Sequence, residues 1–496
     1  MKKQDTSLFD LIKSMSMAEK RYFKLFATRH FPKDSTYHRL YEAIDAQDKY
    51  REQTLTKQFA TGKSASYFPV LKKQLYDALL EALHRFEAYD DEVHKLTLGV
   101  HYCSLLLNRG LYAACAKQIK KYKAKGYAFE KFEEVIALIA IEKRLAARTQ
   151  YTDYNHNGLA ALHREELHCL EQIKITSEYW INSAAIYKMH IEKKLGPGRD
   201  NHALKSLAAS PLFADASSAT TFRARLDRMQ VLALYAFAEQ QTETAFDYNN
   251  AFLQLMDDQP YLRQQYADRY FATLNNYLID CLILQKHEAL IAGIQTLRKL
   301  PEEDAFRHMQ HLDAQVFRMS YLLELNYYVG LEDFVHALSV ATAVLAQITN
   351  VAPFIARPNL ITLYYLCAYV LFCNKQFDQC LDALQTLMDM KDAETVIDLF
   401  TDSRMMQILC HFELGNILLI DSLIVSFNRH LESRKLKAST YATVLRALKQ
   451  HMRSPLKPLK QKLHQQLQAL SQQPEEKRLY NNFNYFWWLE RVSSLQ

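Results

Sequence analysis

The sequence predicts an all-α fold, a right-handed α-solenoid of helical hairpins with a helical module before it and a cap after it. Three observations carry this prediction. The 496 residues include only 10 glycines and 11 prolines, too few for the many turns of a sheet-rich chain. Hydrophobic residues make up 49% and charged residues 23%, the balance of a folded chain rather than a disordered one. One amphipathic stripe also recurs at a near-constant step.

The stripe is plainest in "CNKQFDQCLDALQTLMDM". Phe377, Cys380, Leu381, Leu384, Leu387 and Met388 fall on one face of a 3.6-residue period, and a lone helix cannot bury such a face. The same offsets return at Phe334, Ala337, Leu338, Ala341, Val344 and Leu345. They return again at His287, Leu290, Ile291, Ile294 and Leu297, and at Ile420, Leu423, Ile424, Phe427 and Leu431. Anchors 287, 334, 377 and 420 are spaced 43 to 47 residues apart. Weaker copies start at Thr242, with Ala245, Phe246, Phe252 and Leu253, and at Tyr112, with Cys115, Ala116, Ile119 and Tyr122.

Each stripe follows a longer helix, so the unit is a long helix, a tight turn and a shorter helix. Gly330 and Gly415 suit the left-handed position that ends a helix, and "NK" at 374–375 takes that place before Phe377. Pairing is predicted near Asn275 with Ile291, Leu322 with Leu338, and Tyr365 with Leu381. Stacked hairpins then share one continuous core.

The pattern resembles tetratricopeptide-like repeats. The residues that carry the likeness are Gly110-Leu-Tyr112-x-x-Cys115, Asn374-Lys-Gln-Phe377-x-x-Cys380, and Gly330 with Phe334 and Ala337. The chain is also similar to uncharacterised tetratricopeptide-like proteins of bacteria through "SMSMAEKRYFKLFA", "TTFRARLDRMQVLALYAF" and "ATLNNYLIDCL". Two features depart from the family. Its repeat is about 34 residues, and its Trp-Leu-Gly-Tyr signature is missing here. The resemblance implies first helices that line a concave, partner-binding face. It implies no known activity.

The rest of the chain divides by composition. Residues 1–90 form a helical N-terminal module. Within it Ser16 and Glu19 make an S-x-x-E capping box, opening a helix that carries Phe23, Phe26 and Ala27. Residues 91–195 hold irregular hairpins, with two helices expected over "GLAALHREELHCLEQIKITSEYWINSAAIYKMHIEKK". Residues 196–221, rich in Gly, Pro, Ser and Ala, form a connecting segment. Residues 222–432 carry the repeats. Residues 433–496 hold a basic helical segment and a final helix, "RLYNNFNYFWWLERV", that caps the array.

Chemical motifs are sparse. No phosphate-binding loop and no G-x-S-x-G elbow occur. In "HREELH", His163 and His168 are five apart and diverge on a helix, so with Glu165 and Glu166 they read as surface residues. His308 and His311 share a face but have no third ligand. No C-x-x-C pair occurs among the eight cysteines; on apolar stripes such thiols are structural, which fits a reducing compartment. The start has no apolar core of signal-peptide length. The run Leu360–Cys373 is uncharged but only 14 residues long, short of the ~18–20 that a membrane span needs. The expected setting is cytoplasmic, with no membrane span, no cofactor, no metal and no catalytic residue.

The expected function is therefore a non-enzymatic scaffold or adaptor that binds a protein or peptide. Its candidate residues are the polar members of the first helices: Asn275, Asn276, Arg318, Asn326 and Arg404. The alternative is a nucleic-acid-binding regulator. Residues 429–462 hold 10 Lys+Arg and one acid, Glu432, within a chain of net charge +6. Arg434, Lys435, Lys437, Arg446 and Lys449 form this basic patch. A solvated face is its default reading, and an acidic partner or nucleic-acid phosphates are the others. The N-terminal module is also basic, with 16 Lys+Arg against 11 Asp+Glu over residues 1–87. It carries a helix–turn–helix outline around Gly62, with Lys72, Lys73 and Gln74 on the second helix. The aromatics Phe483, Tyr485, Phe486, Trp487 and Trp488 either stack bases or pack under the last repeat.

Overall fold

The computed structural model describes residues 5–30, 36–64, 66–87, 92–152, 154–192, 202–306, 309–390, 396–436, 439–453, 459–473 and 475–493. These residues are 84% helical and include no strand. The chain forms two compact units, Met1–Glu178 with Thr220–Ala224, and Tyr179–Ala219 with Arg225–Gln496.

The first unit opens with α1 (Ser7–Ser14), α2 (Met17–His30), α3 (Thr36–Asp45), α4 (Glu52–Ala60) and α5 (Tyr67–Glu87). The capping box is formed as predicted. The Ser16 amide donates to Glu19 Oε2 at 2.6 Å, and the Glu19 amide donates to Ser16 Oγ at 3.3 Å. This satisfies two of the helix's orphan donors. Phe23, Phe26 and Ala27 are buried with Leu40, Tyr41, Leu55 and Leu75. Then come α6 (Glu92–Asn108), α7 (Tyr112–Ala128), α8 (Phe132–Arg148) and α9 (His156–Ile191). Helix α9 corrects the expected helix pair, being one helix of 36 residues. No proline and no glycine beyond Gly158 interrupts it, so nothing in its interior breaks the backbone pattern.

Helices α10 (His202–Ala208) and α11 (Pro211–Ala214) occupy the predicted connecting segment. Residues 193–201 lie outside the described set. The repeats follow as α12 (Phe222–Ala238), α13 (Thr242–Asp257), the short α14 (Pro260–Gln265), α15 (Ala267–Ile283), α16 (His287–Lys299), α17 (Leu312–Gly330), α18 (Phe334–Val351), α19 (Arg357–Cys373), α20 (Phe377–Met388), α21 (Ile397–Glu413) and α22 (Ile417–Ser433). The chain closes with α23 (Ser439–Arg453), α24 (Leu459–Ser471), α25 (Lys477–Asn482) and α26 (Tyr485–Trp487).

First helices begin at 222, 267, 312 and 357, a step of 45 residues, and then at 397. Second helices begin at 242, 287, 334, 377 and 417. The anchor at Ile420 therefore lies inside the first turn of α22 rather than at its start. The expected long–short alternation holds for α15–α16 and α19–α20. It fails for α21–α22, whose helices have 17 residues each. As predicted, α15 pairs with α16, α17 with α18, and α19 with α20. Each second helix from α16 to α20 also packs on the next first helix, and α15, α17, α19 and α21 pack on one another in turn. The stripe that begins at Phe377 thus buries Cys380, Leu384 and Leu387 within the core shared by α19 and α21. Around Leu360–Cys373 almost every side chain is buried, so this run is a core helix.

One turn geometry recurs nine times among the described residues. After the last helical residue, the second residue has positive φ: Gly110, Glu130, Gln150, Gln240, Gln285, Glu332, Lys375, Gly415 and Lys435. The amide that follows it bonds back five residues, as Gln376 N does to Leu371 O at 2.9 Å, and its own amide bonds back to the carbonyl three before, as Lys375 N does to Phe372 O at 3.0 Å. This is the Schellman closure of a helix end. It corrects one expectation. Gly330 is the last residue of α17, and Glu332 takes the left-handed conformation. The closing geometry fixes the position by its count from the helix end, not by residue type.

The C-terminal aromatic stretch also differs from expectation. It is not one helix. Phe483 is extended, at φ −142° and ψ 119°. Asn484 caps the next turn by accepting from Trp487 N at 3.0 Å, and Trp488–Val492 forms a π turn. The break lets Phe483, Tyr485, Trp488 and Leu489 all be buried. The segment does not stop at the last hairpin either. Phe483 packs on Tyr369 and Phe372 of α19. Trp488 Nε1 donates to Glu413 of α21 at 2.9 Å. Asn484 Nδ2 reaches Glu332 at 2.9 Å, and Trp487 packs on Phe334.

Candidate functional site

The expected partner-binding residues divide into two groups. Asn276 and Asn326 are exposed, on α15 and α17, and Asn275 is half-buried. The Asn326 amide donates to Leu322 O at 2.7 Å within its own helix. Arg318 is also half-buried, and burial lowers its pKa. No carboxylate pairs with it among the described residues, so its charge is set against partial desolvation alone. Arg404 is different. Its guanidinium donates to Ser426 Oγ of α22 at 2.7 Å, which ties the first helix of that hairpin to the second.

The first helices α19 and α21 are already occupied by the chain's own C-terminal segment. Asp402, 3% exposed on α21, accepts from Tyr441 of α23 and from Asn482 Nδ2 at 2.7 Å. Tyr365 of α19 donates to Asn482 O at 3.0 Å. Polar groups withdrawn from water in this way are satisfied by one another. Sequence spacing carries no sign of this closure, because it joins residues as far apart as 365 and 482. Phe483, Tyr485 and Trp488 are buried in this packing, while Phe486 and Trp487 remain half-buried.

The basic patch lies partly outside the described residues, since Lys437 does. Arg434, Lys435 and Arg446 are exposed and Lys449 is half-buried. Among the described residues, no carboxylate pairs with Arg429, Lys435, Arg446, Lys449, Lys460 or Lys462. Positive charge in the N-terminal outline is instead partly neutralised. Lys72 pairs with Glu52 of α4 and lies over the Phe68 ring at 5.6 Å. Gln74 accepts from the Tyr37 hydroxyl. Gly62 does sit in the α4–α5 turn, at φ 72°.

The "HREELH" carboxylates work in ion pairs. Glu165 accepts from Lys123 at 2.6 Å and from the Tyr127 hydroxyl at 2.8 Å. Lys123 also reaches Glu142 at 2.8 Å, and Glu166 pairs with Lys143. These contacts join α7, α8 and α9. His308 lies outside the described residues, and the His311 ring stacks on Phe354. Among the described residues no cluster of three metal-ligand side chains occurs. All eight cysteines are buried and free. Burial pushes the thiols of Cys103 and Cys281 up to about 11 and that of Cys367 to about 12, so these three are not ready nucleophiles at neutral pH.

Among the described residues one helical stretch, Phe334–Phe354, is long and apolar enough to cross a bilayer by length and composition. Its Phe334, Ala337, Ala341, Val344 and Ile348 are buried in the core shared with α19. Compared with known families, curated proteins and solved structures, the chain matches none.

Proposed function

We propose that the chain is a non-enzymatic helical-repeat scaffold, a right-handed α-solenoid of tetratricopeptide-like hairpins that holds a protein or peptide partner. The observation that supports this reading most is the nearest-neighbour packing of α15 to α22 with one repeated turn. Such arrays build extended surfaces rather than enclosed pockets. The partner surface is the stretch of first helices that the C-terminal segment leaves uncovered, α15 and α17, with Asn275, Asn276, Asn326 and Arg318. A half-buried guanidinium without a counter-charge favours a partner carboxylate, because a bidentate pair would offset its desolvation. Buried free thiols fit a reducing, cytoplasmic setting.

The test is affinity capture with quantitative mass spectrometry, comparing the native chain with the Asn275→Ala, Arg318→Ala double variant. One co-purifying protein should fall by about tenfold or more, with an unchanged melting temperature. Equal recovery would move the surface elsewhere. A second reading rests on Arg429, Lys435, Arg446, Lys449, Lys460 and Lys462, with which no carboxylate pairs among the described residues and which would meet an acidic protein patch or nucleic-acid phosphates.

A further inference from the structure

We propose that the cleft between α10, α11, α12 and α13 is a binding site for a small organic monoanion with an aromatic or acyl body. It is independent of the partner surface on α15 and α17. The cleft has a volume of about 380 Å³, at the small end of the range for ligand pockets.

Three helical faces converge on it. Arg228, Leu232 and Tyr235 are spaced i, i+4, i+7 along α12; Thr244 and Tyr248 are four apart on α13; Lys205 and Ala208 of α10 line it with Ala209 just past the helix end. Phe213 of α11, fully buried, and Leu232, 7% exposed, give it an apolar floor. The Tyr179 ring backs Phe213 edge-on at 5.2 Å, which fixes that floor from behind.

The charge of the cleft selects the ligand. Lys205 is neutralised by Glu239 at 2.9 Å. Arg228 makes no ion pair with a carboxylate among the described residues, although its charge acts on Asp215 and, after the Ser217 hydrogen bonds, helps to lower that carboxyl's pKa. Its Nε donates to Phe213 O at 2.7 Å and its Nη2 to Ala214 O at 3.4 Å. These carbonyls orient the guanidinium and use two of its five N–H donors. No carboxylate pairs with Arg228 among the described residues. Its neighbour Asp227 is paired with Arg269 at 2.8 Å, and Asp215, just past α11, accepts from the amide and hydroxyl of Ser217. One fixed positive charge with unused donors therefore lies beside an apolar floor. The hydroxyls of Tyr235 and Tyr248, which bond to no described residue, add donors along the wall. A carboxylate or sulfonate would take up the guanidinium's remaining donors, while an aromatic or short acyl body would cover Phe213 and Leu232.

Fluorescence titration of the full chain with 8-anilinonaphthalene-1-sulfonate tests this, since the probe is an aromatic monoanion. The native chain should give saturable binding at one site, displaced by benzoate or octanoate. Filling the cleft from its exposed rim with Ala209→Trp or Thr244→Trp should weaken binding by about tenfold or more. Arg228→Gln should weaken the anionic probe by about tenfold, while Arg228→Lys stays within about threefold of the native chain. Circular dichroism and melting temperature check the fold of each variant. If the Arg228 variants do not fold, the two rim variants decide. No saturable binding to the native chain, or affinity unchanged by both tryptophans, would overturn the proposal.

Discussion

Gly415 and Lys375 hold the same backbone conformation at the same place in two hairpins, at φ 73° and 61°. A Cβ at Gly415 would meet nothing within 4 Å, so Gly415→Ala isolates the cost of the left-handed backbone. It should destabilise by about 1 kcal/mol in denaturant unfolding. Lys375→Gly should stabilise by about 0.5–1 kcal/mol, the relieved strain exceeding the entropy that glycine adds to the unfolded chain. No gain at Lys375 would show that its side chain compensates for the strain. Asp280 gives a second test at this scale. It is 4% exposed, and Asn249 Nδ2 donates to it at 2.7 Å. Burial outweighs that bond and raises its pKa to about 6. The folded state therefore holds a proton that the unfolded chain releases near its ordinary value of about 3.9. The contribution of this group to stability is greatest below that value, falls as pH rises through about 6, and is flat beyond. Asp280→Asn keeps the acceptor and removes the charge. It should be more stable than the native chain by about 1–3 kcal/mol at pH 8, with the difference gone near pH 4. A pH-independent difference would mean that Asp280 stays ionised in the fold.

Helix α20 carries the element-scale prediction. Leu384 is fully buried in the middle of its stripe, so Leu384→Ala should cost about 2–5 kcal/mol through lost transfer energy and the cavity left behind. In a repeat array the loss stays close to home. Hydrogen exchange should therefore accelerate in α19 to α22 and change little in α6 to α8. A cost within about 0.5 kcal/mol would show that the site collapses without penalty. The same element shows what could be read in advance. Its six-residue stripe is periodic, local and set off by a turn, so residues 377–388 identified the helix and its buried face. The turn before α18 was harder. Glycine at 330 attracted the left-handed assignment, although the hydrogen-bond count places it at Glu332. Helix α9 was split in two because its weak amphipathicity gave no single face to follow over 36 residues. The final stretch read as one helix because each of its residues tolerates helix. What breaks it is the distant contact of Asn484 with Glu332 and of Phe483 with Tyr369.

At the scale of the whole molecule, the cleft between α10 and α13 could not be read from the sequence. Its residues come from a segment that composition marks as a connector and from two helices beyond it, so only the folded chain brings Arg228 beside Phe213. The proposed partner surface was partly legible. Polar residues on first helices could be picked out by period, yet nothing local shows that Arg404 is spent on Ser426 or that α19 and α21 are already covered. The charge distribution was legible without any fold. It supports the last prediction, which sets nucleic acid against an acidic protein. Of the aromatics that would stack bases, Trp488 is fully buried, Phe483 and Tyr485 are buried, and Phe486 and Trp487 are half-buried. Lys72 of the N-terminal outline is paired with Glu52. Phosphate attraction would then have to carry most of any affinity for duplex DNA, and such affinity falls with salt at a log–log slope of about −0.9 per contact. The native chain should accordingly show no submicromolar binding to an arbitrary duplex at physiological salt. Replacing Arg434, Lys435, Lys437, Arg446 and Lys449 with Gln should leave the melting temperature unchanged. With the protein captured through Asn275 and Arg318, the same change should slow association by about tenfold at low salt and alter dissociation little, since charges at the rim of an interface steer encounter more than they hold a complex. Submicromolar duplex binding that those five substitutions abolish would instead make the basic segment a nucleic-acid surface.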